Sequence, residues 1–90
     1  MSARLDAIRD KLIATFNTTE CQLMDDSARH AGHAGAASGG GHFTLYIVSS
    51  HFEGQNRLSR HRLVYDSLQN FMHSDIHALA ITALAPSEIK

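Results

Sequence analysis

The segment from residue 52 to residue 79 constrains the fold most, because a turn, an amphipathic helix and a strand follow one another directly in it. Gly54 marks the turn, and side chains that can pack against a core then recur at helical spacing over residues 58–72. The residues of this stripe are His61, Val64, Tyr65, Leu68, Phe71 and Met72. Residues 76–83 are predicted to form a strand, so the helix leads straight into it.

Residues 42–50, with the sequence HFTLYIVSS, are the strongest predicted strand because apolar and other side chains alternate along them. Together with the helix and strand that follow, they form a strand-helix-strand unit, whose two strands run parallel with a right-handed crossover. Parallel strands begin at the same edge of a sheet. This topology therefore brings His77 toward His30, His33 and His42.

The amino-terminal part predicts a helix, a strand and a long loop. Apolar residues with a helical period come first, namely Leu5, Ile8, Leu12, Ile13 and Phe16. Residues 21–25 form a short predicted strand, and residues 26–41, DSARHAGHAGAASGGG, form a flexible loop. Residues 1–90 are thus expected to be a single α+β domain with the order α-β-β-α-β and a three-stranded mixed sheet.

The composition limits the classes of function. The net charge of −1 provides no overall attraction to nucleic acid, and the single cysteine, Cys21, excludes an internal disulfide and an all-cysteine metal cluster within one chain. No apolar run approaches the roughly 20 residues that span a bilayer, and no signal peptide is recognisable. We expect a soluble cytoplasmic protein without a membrane partner, or one of an organelle matrix if the sequence is already processed.

Three histidines are candidate ligands for zinc, copper or iron, because a neutral imidazole offers a nitrogen lone pair. His30 and His33 are two residues apart on the predicted loop, and His77 starts a strand that can anchor them. Alternatively, the loop histidines are solvated and His77 is a partly buried, hydrogen-bonded side chain. The histidines expected to be exposed are His42, His51 and His73.

A short basic run opens the second predicted helix and consists of Arg57, Arg60 and Arg62. These side chains are candidates for contacts with nucleic-acid phosphates, and a solvated helix face is the alternative. Paired carboxylates, a nucleophile with a base, and a phosphate-binding loop are not recognisable in the sequence. We therefore expect a protein that is not an enzyme.

Several short motifs resemble the BolA family in order and spacing, over nearly the whole chain. They are Asp26-Ser27 with Arg29-His30, then Gly41-His42-Phe43, Phe52-Glu53-Gly54, Arg60-His61-Arg62-Leu63-Val64 and Ile76-His77-Ala78-Leu79. The resemblance implies an α-β-β-α-β fold similar to a class II KH domain, in agreement with the predicted elements.

The same resemblance implies a partnership with a monothiol glutaredoxin, in a heterodimer that shares a [2Fe-2S] cluster for iron-sulfur trafficking or iron regulation. The ligands it implies are His77 and a loop histidine, His30, with His33 as the alternative because an insertion leaves the register open. One cysteine cannot supply the remaining thiolates, and the resemblance implies that a glutaredoxin cysteine and glutathione provide them.

Some BolA proteins are similar to transcription regulators, so binding to DNA through the three arginines is the second hypothesis. A KH domain grips the nucleic-acid backbone with a GXXG loop. Here the corresponding Gly54-Gln55-Asn56-Arg57 lacks the second glycine, and the chain is not basic overall.

Overall fold

The computed structural model describes residues 3–18, 20–25, 41–72 and 76–89. Two α-helices and three strands make up most of this part of the chain. In order they are α1 (Ala3–Phe16), β1 (Glu20–Asp25), β2 (Gly41–Val48), α2 (Arg57–Ser67) and β3 (Ile76–Leu84), with short 3₁₀ helices at Ser50–Phe52 and Pro86–Glu88. The predicted order α-β-β-α-β and the α+β class are confirmed.

The sheet has the order β1-β2-β3, with β2 in the centre. β1 pairs with β2 in antiparallel orientation, and β3 pairs with β2 in parallel orientation, as the crossover predicts. Phe43, Leu45 and Ile47 of β2 are buried, whereas the residues between them are only half-buried. Gly41, which the sequence assigns to the loop, is the first residue of β2.

Helix α1 contributes one stripe to the core, because Ile8, Leu12 and Phe16 are buried. Ile13, which the helical period places beside this stripe, is instead 38% exposed. The hydrophobic core also takes in Phe52, Val64 and Leu68, all fully buried. Both helices contribute buried residues to this one core and contact each other, so a single apolar core holds the helices and the sheet together.

Helix α2 begins one residue before the predicted start and ends five residues before the predicted end at Met72. Asn56 caps its first turn, since the side-chain oxygen accepts a hydrogen bond from the Ser59 N–H at 2.8 Å. The chain then continues in turns, in which the Phe71 N–H donates to the Leu68 carbonyl at 2.8 Å. Phe71 and Met72 pack against the core from these turns and extend the apolar stripe without extending the helix.

Gly54 completes the turn before α2 with a φ of +71°, which glycine adopts more readily than other residues. No helix in the described part of the chain is long and apolar enough to cross a bilayer.

Candidate metal-binding edge and basic groove

His77 is the second residue of β3 and its side chain is exposed. Ile76 before it is buried, and Leu79 after it packs against the same core. Side chains three residues apart point to opposite faces of a regular strand. Both apolar residues therefore reach the core only because the strand is irregular at His77.

The irregularity is visible in the pairing of β3 with β2. Gly41 pairs with Ile76, but the next residue, His42, pairs with Ala78. The register shift leaves His77 as an extra residue between two paired positions, which is the arrangement of a β-bulge. Bulges of this kind redirect side chains, and here the bulge sets His77 at the sheet edge beside the start of β2.

His42 is the described histidine next to His77. The centroids of the two imidazole rings are 5.0 Å apart, with an angle of 46° between the ring planes. The expectation that His42 is exposed is wrong: the residue is half-buried, like the others on its face of β2, and its ring packs against His77. His51, at the other end of β2, is exposed as expected.

His30, His33 and His73 lie outside the described residues. Asp25 is the last described residue before the segment that carries His30 and His33, and Gly41 is the first described residue after it. Asp25 is the last residue of β1 and Gly41 the first of β2, so both lie at the end of the sheet where β3 begins. The predicted meeting of His77 with His42 is thus observed, and the meeting with the two loop histidines stays a prediction.

Cys21 lies away from this edge. It pairs with Ile47, five residues along β2 from His42, which corresponds to roughly 16 Å of strand. Its thiol is half-buried, and this burial raises the pKa of Cys21, while the charge of Arg9 partly opposes the effect and Glu20 adds to it. Burial thus disfavours the Cys21 thiolate, which is the form that coordinates a metal.

The donors at the His77 edge suit part of an iron-sulfur cluster. Among the described residues, histidine, cysteine and carboxylate side chains form no group of three or more that could hold a metal ion. Imidazoles are present at the edge, and the chain's one thiol is remote from it. The two described imidazoles, His42 and His77, are compatible with the imidazole-ligated iron of a [2Fe-2S] center, and the described residues at this edge offer no thiolate for the other iron.

Arg60 has a structural role that the sequence does not reveal. Its Nε donates to the Gln55 carbonyl at 2.8 Å, and its Nη1 donates to the Ala83 carbonyl at 2.9 Å and to Glu88 Oε1 at 2.6 Å. The Arg60 side chain is only 13% exposed. It ties helix α2 to β3 and to the 3₁₀ helix at Pro86–Glu88.

Glu88 is the acidic partner in this network. The Ala85 N–H donates to Glu88 Oε1 at 2.7 Å, and this bond, followed by the bond from Arg60, lowers the pKa of Glu88 below its ordinary value. Arg60 is therefore engaged within the fold, whereas Arg57 and Arg62 are exposed at the start and in the middle of α2. The three arginines are therefore not equally available to a ligand.

A groove of about 380 Å³ lies between the start of α2 and the free edge of β3. Its lining includes Arg57 and His61 from the helix and residues 81–84 from the strand. Arg60 and Tyr65 donate to outward-facing carbonyls of β3, those of Ala83 and Leu79, and so partly cover the strand edge. The groove thus presents the Arg57 guanidinium and the His61 imidazole, and it also contains the Arg60–Glu88 ion pair.

Comparison with known proteins decides the family. The model of the BolA-like protein family matches residues 12–88. The chain belongs to the BolA-like family. This assignment confirms the resemblance in the sequence motifs.

Among solved structures, the BolA domain of SufE1 from Arabidopsis thaliana superposes on this BolA-like chain with a TM-score of 0.87 and 41% identity, over 99% of each chain. The curated SufE-like protein 1, chloroplastic/mitochondrial, from the same plant is 42% identical over 91% of the chain, which spans 24% of that longer protein. The DNA-binding transcriptional regulator BolA of Escherichia coli is 37% identical over 84% of the chain and 70% of its own length.

Proposed function

We propose that this BolA-like chain is a non-enzymatic partner of a monothiol glutaredoxin and that the two proteins share a [2Fe-2S] cluster. The observation that carries the proposal is the exposed His77 at a β-bulge, at the end of the sheet where residues 26–40 leave β1 and enter β2. In this proposal His77 and His30 are the ligands from this chain, with His33 as the alternative to His30.

The ligand chemistry supports a shared cluster rather than one held by this chain alone. Two imidazoles on one iron raise the reduction potential relative to ligation by four cysteines. The other iron needs thiolates, and the half-buried Cys21 lies at the far part of β1 with a raised pKa. The glutaredoxin cysteine and its bound glutathione supply those thiolates in the proposed heterodimer, with α2 near the glutaredoxin surface.

The proposed role is iron-sulfur cluster trafficking or iron regulation, in the cytoplasm or in an organelle matrix. The name of the Arabidopsis relative, SufE-like protein 1, chloroplastic/mitochondrial, supports the organelle as one setting.

The test is to reconstitute the cluster in a mixture of this chain and a monothiol glutaredoxin with glutathione, iron and sulfide, and to record visible circular dichroism. We expect a spectrum that differs from that of the glutaredoxin alone and that changes when His77→Ala replaces the wild type. His51→Ala is the matched control, since His51 is also exposed but lies at the opposite end of β2. Identical spectra for wild type and His77→Ala would contradict the assignment of His77.

The second candidate function is regulation of transcription through binding to DNA. The name of the Escherichia coli relative and the groove beside Arg57 and His61 favour it. The engagement of Arg60 with Glu88 leaves Arg57 and Arg62 as the exposed arginines for phosphate contacts. In gel-shift titrations at two salt concentrations, Arg57→Ala should lose one phosphate contact. We expect this loss to reduce the slope of log K against log salt concentration by about one. An unchanged affinity and salt slope in this variant would count against the groove.

A further inference from the structure

The His42 and His77 rings have the separation of two ligands on one metal ion. In a tetrahedral zinc site each Zn–N bond is about 2.0–2.1 Å, which puts the centroid of each imidazole about 3.2 Å from the metal. Two such centroids at a tetrahedral angle are about 5.2 Å apart. The observed separation between the centroids is 5.0 Å, which matches the spacing of two rings on one ion.

The backbone that carries the two rings is held on both sides. His42 lies in the central strand between Gly41 and Phe43, both buried, and its pairing partner in β3 is Ala78, the residue after His77. A site on paired strands keeps its ligands in place better than a site on loops. Folding therefore already brings the two imidazoles together, and binding of an ion costs little further conformational entropy.

The two rings also differ in their access to solvent. His77 is exposed, whereas the Nε2 atom of His42 is buried. An ion held by both rings would be open to water on the His77 side and partly shielded from it on the His42 side. Neutral imidazoles suit a borderline ion such as Zn²⁺ better than they suit Mg²⁺ or Ca²⁺, which prefer oxygen.

We propose that His42 and His77 form a two-imidazole chelate that binds one Zn²⁺ ion per chain without a partner protein, with water in the remaining coordination positions. The proposal uses His77 in common with the shared cluster but does not rest on it, since neither sulfide nor glutathione nor glutaredoxin takes part. It assigns a role to His42, which the cluster proposal leaves unused.

The test is calorimetric titration of the isolated full-length chain with Zn²⁺ in a buffer that does not bind metal. We expect one site per chain and a loss of affinity of at least about tenfold in both His42→Gln and His77→Gln. His51→Gln is the control, because this exposed histidine lies beyond the opposite end of β2, and the zinc affinity of this variant should equal that of the wild type. Unchanged affinity in His42→Gln would overturn the proposal and would leave His77 with other ligands.

A measurement on the wild-type chain tests the same pair of ligands without depending on whether a variant folds. In long-range ¹H–¹⁵N spectra, the ring nitrogens of both His42 and His77 should shift together and saturate at one equivalent of Zn²⁺. A shift of one ring without the other would overturn the pair. If zinc binds as expected but no cluster forms with glutaredoxin, the cluster proposal fails and the chelate stands.

Discussion

Replacing Arg60 by methionine tests whether this arginine serves the fold. Arg60→Met keeps most of the aliphatic stem but removes the donors to the carbonyls of Gln55 and Ala83 and to Glu88. The Gln55 carbonyl is exposed, and water replaces the lost bond there. The Ala83 carbonyl is partly buried, and a buried acceptor without its donor costs about 1–3 kcal/mol.

We therefore expect Arg60→Met to lower the free energy of unfolding by about 2 kcal/mol in total. For a domain of this size that corresponds to a fall in Tm of about 10 °C. The assay is urea denaturation followed by far-ultraviolet circular dichroism, with thermal unfolding as a second measurement. The slope of the unfolding free energy against urea concentration should not change, since the substitution leaves the buried core intact.

Arg57→Met is the matched control, because Arg57 is on the same helix and is exposed. Its effect should stay within about 0.5 kcal/mol, as for most surface substitutions. Equal stability of the Arg57 and Arg60 variants would refute the structural role of Arg60. A loss of DNA affinity in Arg60→Met at unchanged stability would instead favour the phosphate contact that the sequence suggests.

Three further predictions concern other parts of the fold. In the folded protein the pKa of Glu88 is lower than its ordinary value of 4.5. The hydrogen bonds of the Glu88 carboxylate therefore stabilise the protein at a pH above 4.5, and this stabilisation is lost as the pH falls through the pKa of the folded state. The stability difference between wild type and Glu88→Gln should hence shrink on acidification below pH 4.5, and a constant difference down to pH 2 would contradict the Glu88 network. Leu45→Ala, in the fully buried centre of β2, should cost about 2–5 kcal/mol in urea denaturation, and a loss below about 1 kcal/mol would show that Leu45 is not in the core. Gly54→Ala should cost about 1 kcal/mol through its positive φ, since an added Cβ meets no atom within 4 Å. A stabilising Gly54→Ala would show that the turn does not adopt this conformation.

The sequence predicts the parts of the fold that repeat a local pattern. Alternation along residues 42–48 identifies the buried face of β2, and the helix between two strands predicts their parallel pairing. That pairing predicts that His77 lies beside His42. The topology of the chain, and not a motif for metal binding, carries this part of the site.

Features that depend on contacts between distant residues are not predictable in this way. The end of α2 at Ser67 is missed because the apolar stripe continues through the turns at Phe71 and Met72. The contact between the His42 and His77 rings forms at a bulge in β3 that the alternation of its side chains does not reveal. Arg60 bonds to Ala83 and Glu88, which are 23 and 28 positions further along the chain, and no local spacing indicates such partners.

Native mass spectrometry of the reconstituted mixture tests the shared cluster most directly, because it counts protein chains, iron, sulfide and glutathione in one particle. We predict a heterodimer of one BolA-like chain and one glutaredoxin that carries two irons, two sulfides and one glutathione, and that is lost in His77→Ala but retained in His51→Ala. A cluster found only in glutaredoxin homodimers, with the BolA-like chain free beside them, would contradict the proposal.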